Sequence, residues 1–232
     1  MAILTGDEIN KQVELGGVAI SPFDPTRTGA NSYDLKMASK LRIYAKFSAH
    51  QRIRDYGFGS VAIWFYDLIF ASNFYFVILL REFGALILAL LLNRKYQRNT
   101  RYRPAILDIG TAEPTVELEI PEEGRILWPG ILYLGTTEEF TESAVYVPCI
   151  EGRSSVARMG ISIHSSAGFG DVGFRGAWTL EVTVTHPVIV YPNRRMCQIF
   201  YLTTEGELGR RYQGKYQGQR EPEPSRMFQD NQ

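Results

Sequence analysis

Cysteine is scarce in this chain. Two residues, Cys149 and Cys197, stand among 232, far apart in sequence. A disulfide framework is therefore excluded, and a reducing, cytoplasmic setting is expected. Histidine is scarce too: His50, His164 and His186 make no ligand spacing with either cysteine, so the sequence offers no zinc site. His164 reads as a packed or interface side chain. Neither sign of charge is in excess, with 25 lysines and arginines against 25 aspartates and glutamates. No global field recruits nucleic acid or an anionic membrane, and an anionic ligand would need a local cluster. The first eight residues hold no basic stretch followed by a long apolar run, so no signal peptide is expected. The length suits one domain, or one domain with an insertion, and is ample for a sizeable core.

What is present is mostly short alternating segments. Residues 5–15 predict a helix, capped by Thr5 or Asp7, with Ile9 and Val13 on one face and Gly16–Gly17 at its end. Strands are expected at 18–20, 31–37, 41–44, 115–120, 125–128, 131–136, 161–165, 188–191 and 197–202, punctuated by Pro and Gly. Many short strands with such punctuation indicate a β-sandwich or jelly-roll-like barrel. The tail from Glu205 is rich in Gly, Gln, Arg and Pro and has no apolar period; alone it would be disordered. It is either a segment that orders over a ligand or a plain flexible tail.

Residues 46–104 depart from this pattern. An apolar run at 61–80 is broken only by Asp67, Ser72 and Asn73, and a second occupies 83–92. A membrane span needs about 20 apolar residues, which only the first run supplies. Asp67 would cost such a span about 2.5–3.5 kcal/mol. Arg52 and Arg54 precede the runs, and Arg94, Lys95, Arg98, Arg101 and Arg103 follow them, so both ends would lie on the cytoplasmic face. Three readings compete: a membrane-touching hairpin through 61–92, a helical pair packed on its own domain or a neighbouring subunit, and an acquired segment that folds poorly. The helical pair is preferred.

The chemistry-bearing residues cluster late in the chain. Residues 149–158 read Cys-Ile-Glu-Gly-Arg-Ser-Ser-Val-Ala-Arg. A glycine turn, two hydroxyls and two guanidinium forks supply what a polyphosphate requires, fixed donors and positive charge. In Thr-Leu-Glu-Val-Thr-Val-Thr (179–185), Leu180, Val182 and Val184 share one face, and Glu181 shares the other with Thr183 and Thr185. A carboxylate on a rigid strand is a candidate general acid/base. The plainer alternative is a solvated glutamate beside a structural arginine-rich turn.

Four blocks in matching order carry a resemblance: Gly-Arg-Ser-Ser-Val-Ala-Arg (152–158), Ala-Gly-Phe-Gly-Asp-Val-Gly-Phe-Arg-Gly (167–176), Thr-Leu-Glu (179–181) and Lys-Tyr-Gln-Gly-Gln (215–219). They resemble the dCTP deaminases of the trimeric dUTPase superfamily. The likeness covers residues 1–45 and 105–232; the family runs from a strand like 41–44 almost directly into one like 106–109. It implies one dUTPase-like domain over 1–232, a mainly β barrel or distorted jelly roll with a short N-terminal helix. Residues 46–104 would be a helical insertion and 205–232 a C-terminal lid.

The implied activity is metal-free hydrolysis of dCTP to dUTP and ammonia by a homotrimer with sites at subunit interfaces. The alternatives are a bifunctional enzyme forming dUMP and pyrophosphate, or a membrane-attached non-catalytic nucleotide binder. A plain dUTPase usually has an apolar residue at the position of Glu181. The resemblance makes Glu181 the proton carrier, has Ser154 hold the water or amino group, and has Arg158 orient both. Arg153, Ser155, Lys215, Gln219 and Tyr212 would meet the phosphates. Asp171 would take the 3′-hydroxyl, and Ala167–Gly168 would crowd the sugar. Thr179, Leu180 and Gln198 complete the substrate contacts. Tyr212 is the weakest transfer, because only two residues separate it from Lys215. The protein itself would carry no cofactor; Mg2+ would enter with the triphosphate.

Overall fold

The computed structural model describes residues 2–47 and 106–230; residues 48–104 of the insertion, with both apolar runs, lie outside them. The chain divides into two compact units, 1–45 with 109–232, and 46–108. No helix among the described residues is long and apolar enough to cross a membrane.

In the first unit, helix α1 (Gly6–Leu15) begins where the Thr5 hydroxyl accepts a hydrogen bond from the Glu8 amide at 3.3 Å. It ends at Gly16, whose left-handed φ of 77° closes the last turn without the clash a Cβ would bring. Strands β1 (Val18–Ser21), β2 (Tyr33–Tyr44), β3 (Thr115–Glu119), β4 (Arg125–Leu127), β5 (Tyr133–Ser143) and β6 (Val147–Gly152) follow. A single helical turn α2 (Ser154–Ala157) then leads to β7 (Ile161–Ser162), β8 (Arg175–Val184), β9 (Val188–Val190) and β10 (Arg194–Leu202). The described strands form an antiparallel sheet in the order β6-β10-β2-β5-β8-β7, with β1 also on β5 and β3 on β2, and a separate β4-β9 pair. This is the mainly β, barrel-like architecture that the strand punctuation implies.

Several boundaries differ from the sequence reading. The expected strands 31–37 and 41–44 are one twelve-residue strand, because a register shift on β5 between Met37 and Leu41 absorbs the break in alternation. β5 runs on to Ser143, and its continuation is hidden by buried polar residues: Thr137, Glu139 and Thr141 lie inside. The expected run 161–165 is a two-residue strand. Residues 106–109 are exposed and belong to no strand. The turn at 153–158 is a short helix.

The core gathers Tyr33, Leu35, Met37, Leu41 and Ile43 of β2 with Tyr133, Leu180, Val182, Ile199 and Tyr201. Within it, the Arg27 guanidinium pairs with Glu139, which also accepts the Lys36 amide at 2.9 Å. Desolvation pushes the Glu139 carboxyl above its ordinary range, opposed by the Arg27 hydrogen bond and the Lys36 amide.

Candidate active site

β8 places the central carboxylate. Leu180, Val182 and Val184 are buried, while Glu181 and Thr183 on the opposite face are half-buried. The Glu181 amide donates to the Ile163 carbonyl at 2.7 Å, and across the sheet Glu181 faces Leu134 of β5. The carboxylate is thus carried by backbone tied on both sides. It opens on a cavity of about 530 Å3 whose walls include Tyr44, Leu134, Phe174, Trp178 and Tyr216.

The loop before β8 forms another wall. Gly168 accepts the Ile150 amide through its carbonyl, and the Gly170 amide donates to Pro148, at 2.7 and 2.9 Å. A Cβ on Gly170 would lie 2.4 Å from a ring carbon of Trp178 and 2.8 Å from the Pro148 carbonyl. The loop therefore lies flat on β6 only because it has no side chain there. This presents Ala167, Phe169 and Asp171 to the cavity.

The C-terminal tail supplies the roof. Its composition predicts disorder in isolation, yet residues 212–226 are seated along β8. Tyr212 donates its amide to Val172 at 2.8 Å, Gly218 to Arg175 at 2.7 Å, and Gln219 accepts from Ala177 at 2.9 Å. The Gln219 amide group returns a hydrogen bond to the Ala177 carbonyl at 2.7 Å; its own Oε1 is buried without a partner. Further on, the Glu223 amide donates to the Thr179 hydroxyl at 3.1 Å and the Ser225 amide to the Tyr44 hydroxyl at 3.2 Å. Lys40 pairs with Glu221 at 2.8 Å, and that hydrogen bond holds the Lys40 ammonium above its ordinary value. Arg226 ties the tail to itself, bonding Glu223 at 2.8 Å and the Lys215 carbonyl at 2.5 Å. Backbone groups do most of this docking, which is why no side-chain pattern announces it.

The residues singled out in the sequence fall into two groups. Asp171, Thr179, Glu181, Tyr212 and Gln219 line one cavity. Tyr212 packs edge-on against Phe174, with ring centroids 5.7 Å apart. Leu180 belongs to the core and is 1% exposed, so only its backbone is available to a ligand. Lys215 stands outside the lining, its ammonium 2.5 Å from Asp230.

Arg153, Ser154, Ser155 and Arg158 also do not line the cavity. The two serines and Arg158 are exposed on and after α2, and Arg153 pairs with Asp34 at 3.0 Å. Gln198 sits near that second group, accepting from the Ser32 hydroxyl at 3.1 Å. The cavity lining contains three carboxylates, of Asp171, Glu181 and Glu223, and no lysine or arginine. One chain thus assembles a place for a base and sugar and leaves the expected phosphate-binding cations elsewhere. Among the described residues no three His, Cys, Asp or Glu side chains gather to hold a metal ion.

Sequence reasoning missed Tyr44, Trp178, Tyr216, Glu223 and Ser225, all of which line the cavity. Tyr216 was within reach, since it lies inside the Lys-Tyr-Gln-Gly-Gln block. Glu223 and Ser225 had no signal beyond a proline-rich tail.

A barrel-like antiparallel sheet with a strand-borne carboxylate in a cavity roofed by the C-terminal tail defines a small-ligand-binding β protein. Comparison makes the class narrower. The family described as dCTP deaminase-like matches residues 88–204. A protein of Clostridium beijerinckii named "dCTP deaminase, dUMP-forming" is 50% identical over 98% of this chain and 98% of its own length. One of Leptospira biflexa with the same name is 36% identical over 98% and 97%. A crystal structure of 2′-deoxycytidine 5′-triphosphate deaminase from Agrobacterium tumefaciens shares the fold, with TM-score 0.50 and 16% identity. It covers 87% of this chain, which spans about half of that longer one, 48%. The chain belongs to the dCTP deaminase-like family.

Proposed function

We propose that this protein hydrolyses dCTP in two steps, releasing ammonia and then pyrophosphate to leave dUMP. The observation that carries the reading is the single cavity joining Glu181 to Asp171, Thr179, Tyr212 and Gln219. The second step departs from the first expectation of dUTP as product, and it follows the names of the relatives, which are dUMP-forming.

In the first step Glu181 takes a proton from water, and the water oxygen bonds to C4 of the cytosine ring. The proton passes to the ring nitrogen; the C4–N bond then breaks and ammonia leaves with the remaining proton, giving dUTP. Fixed donors must stabilise the oxygen and nitrogen of the tetrahedral centre. Ser154 and Arg158 have the chemistry for this, and Asp171 can accept from the 3′-hydroxyl. In the second step a water oxygen attacks the α-phosphorus and pyrophosphate leaves. The phosphate chain carries several negative charges, which a cavity lined by three carboxylates cannot hold unaided. We therefore infer that the 153–158 segment comes from a second copy in a homotrimer, with the site between copies.

The test is a product assay on purified full-length protein with dCTP and Mg2+. Equal amounts of dUMP, pyrophosphate and ammonia support the reading. Accumulated dUTP would restore the single-step alternative, and no ammonia from folded protein would overturn the function.

A further inference from the structure

Beside the nucleotide cavity lies a second one of about 440 Å3, and the two share Phe169, Gly170, Asp171 and Tyr212 as a common wall. Its remaining lining includes Val172, Leu208 and two adjacent cations, Arg210 and Arg211. We infer that this second cavity is an anion subsite, and that Arg210 and Arg211 hold the pyrophosphate end of a nucleoside triphosphate whose base and sugar lie beside Glu181. The inference deepens the proposed function and rests on it for the identity of the nucleotide.

Three observations lead there. First, the nucleotide cavity has carboxylates and no cation of its own chain, so a phosphate chain must leave it for positive charge. Second, the shared wall contains Asp171 and Tyr212. If Asp171 accepts from the sugar hydroxyl, the phosphates start at this boundary. Third, the arginines are held in place yet uncommitted. The Tyr212 amide bonds the Val172 carbonyl at 2.8 Å, and a Cβ on Gly173, at φ +91°, would stand 2.8 Å from Cβ of Arg211. That backbone is therefore pressed onto the turn before β8. Both side chains are exposed, and neither makes an ion pair among the described residues. Two guanidinium forks on adjacent residues offer planar donors matched to phosphate oxygens. Sequence analysis had given the phosphates to residues 153–158 and the 215–219 block, so these two arginines are an addition.

The experiment titrates inorganic pyrophosphate calorimetrically into the full-length protein and into the double variant Arg210→Gln, Arg211→Gln. Both positions are exposed, so the variant should keep the wild-type melting temperature. We expect the double variant to bind pyrophosphate at least tenfold more weakly, with the wild-type affinity falling as salt rises. The KM for dCTP should rise by a similar factor, with kcat within threefold. Equal pyrophosphate affinity in wild type and variant, or none in wild type, overturns the subsite. Arginine-dependent pyrophosphate binding by a protein that does not turn over dCTP would keep the subsite and remove the dCTP reading.

Discussion

Replacing Glu181 by glutamine separates a proton carrier from a structural strand residue. The frame around it does not depend on the carboxylate. Leu180 and Val182 are buried at 1% and 0% exposure, and the Glu181 backbone is bonded to Ile163 and paired with β5. Glutamine has nearly the same volume and keeps an acceptor and a donor, so folding and binding should survive. What it loses is proton affinity, and with it removal of the proton from water and its delivery to the ring nitrogen and to ammonia. Positioned acid/base groups contribute about 10²–10⁴ in rate. Because one carboxylate serves every transfer here, the upper part of that range applies, about 10³–10⁴. At 1.36 kcal/mol per decade that is about 4–5.5 kcal/mol of barrier. The assay is ammonia release under saturating dCTP, with dCTP affinity measured separately by calorimetry. A kcat loss of that size with affinity within about threefold is expected. A variant that retains more than a tenth of wild-type kcat would return Glu181 to the solvated strand face and refute the mechanism.

Two structural predictions accompany it. Glu139→Ala removes one partner of a pair whose side chains are 0% and 5% exposed and leaves the Arg27 guanidinium buried and unmatched; the cost should be about 3–5 kcal/mol. At about 2–4 °C per kcal/mol for a chain of this size, the melting temperature should fall by about 6–20 °C, and an unchanged value would mean that water reaches Arg27. Gly170→Ala drives a methyl into Trp178 and the Pro148 carbonyl. Overpacking of this kind costs about 1–3 kcal/mol and moves a cavity wall, so stability should drop and the KM for dCTP should rise. A neutral variant would show that the 167–172 loop is free to shift.

What could be read from the residues follows a physical rule. Features set by neighbours in sequence were legible: the Thr5 cap and Gly16 stop of α1, and the alternation that turns Glu181 outward from Leu180 and Val182. Features set by distant partners were not. β5 carries Glu139 inside because Arg27, from a turn over a hundred residues earlier, matches it. The tail is held by backbone bonds to β8, and a backbone bond leaves no mark in composition. Asp171, Glu181, Tyr212 and Gln219 were chosen together through motif resemblance rather than pattern, and they do converge. The same blocks suggested nothing about Arg210 and Arg211, which precede the 215–219 block.

The separation of Glu181 from Arg158 has a consequence that one experiment can isolate. If each active site takes Glu181 from one copy and Arg158 from the next, Glu181→Gln and Arg158→Ala proteins are each inactive for different reasons. Co-expressed with two different tags and purified through both, they form only trimers that contain each kind. A cyclic trimer with two copies of one kind and one of the other has a single interface at which an intact Glu181 meets an intact Arg158. About one site in three should then work, whichever kind is in the majority. A self-contained site has no such interface, because every copy lacks one of the two groups. Recovery of about a third of wild-type ammonia release therefore establishes sharing, and a doubly purified trimer that stays inactive refutes it. The arithmetic needs no knowledge of the geometry between copies, only that the cavity's carboxylates and the 153–158 cations meet across an interface rather than within one chain.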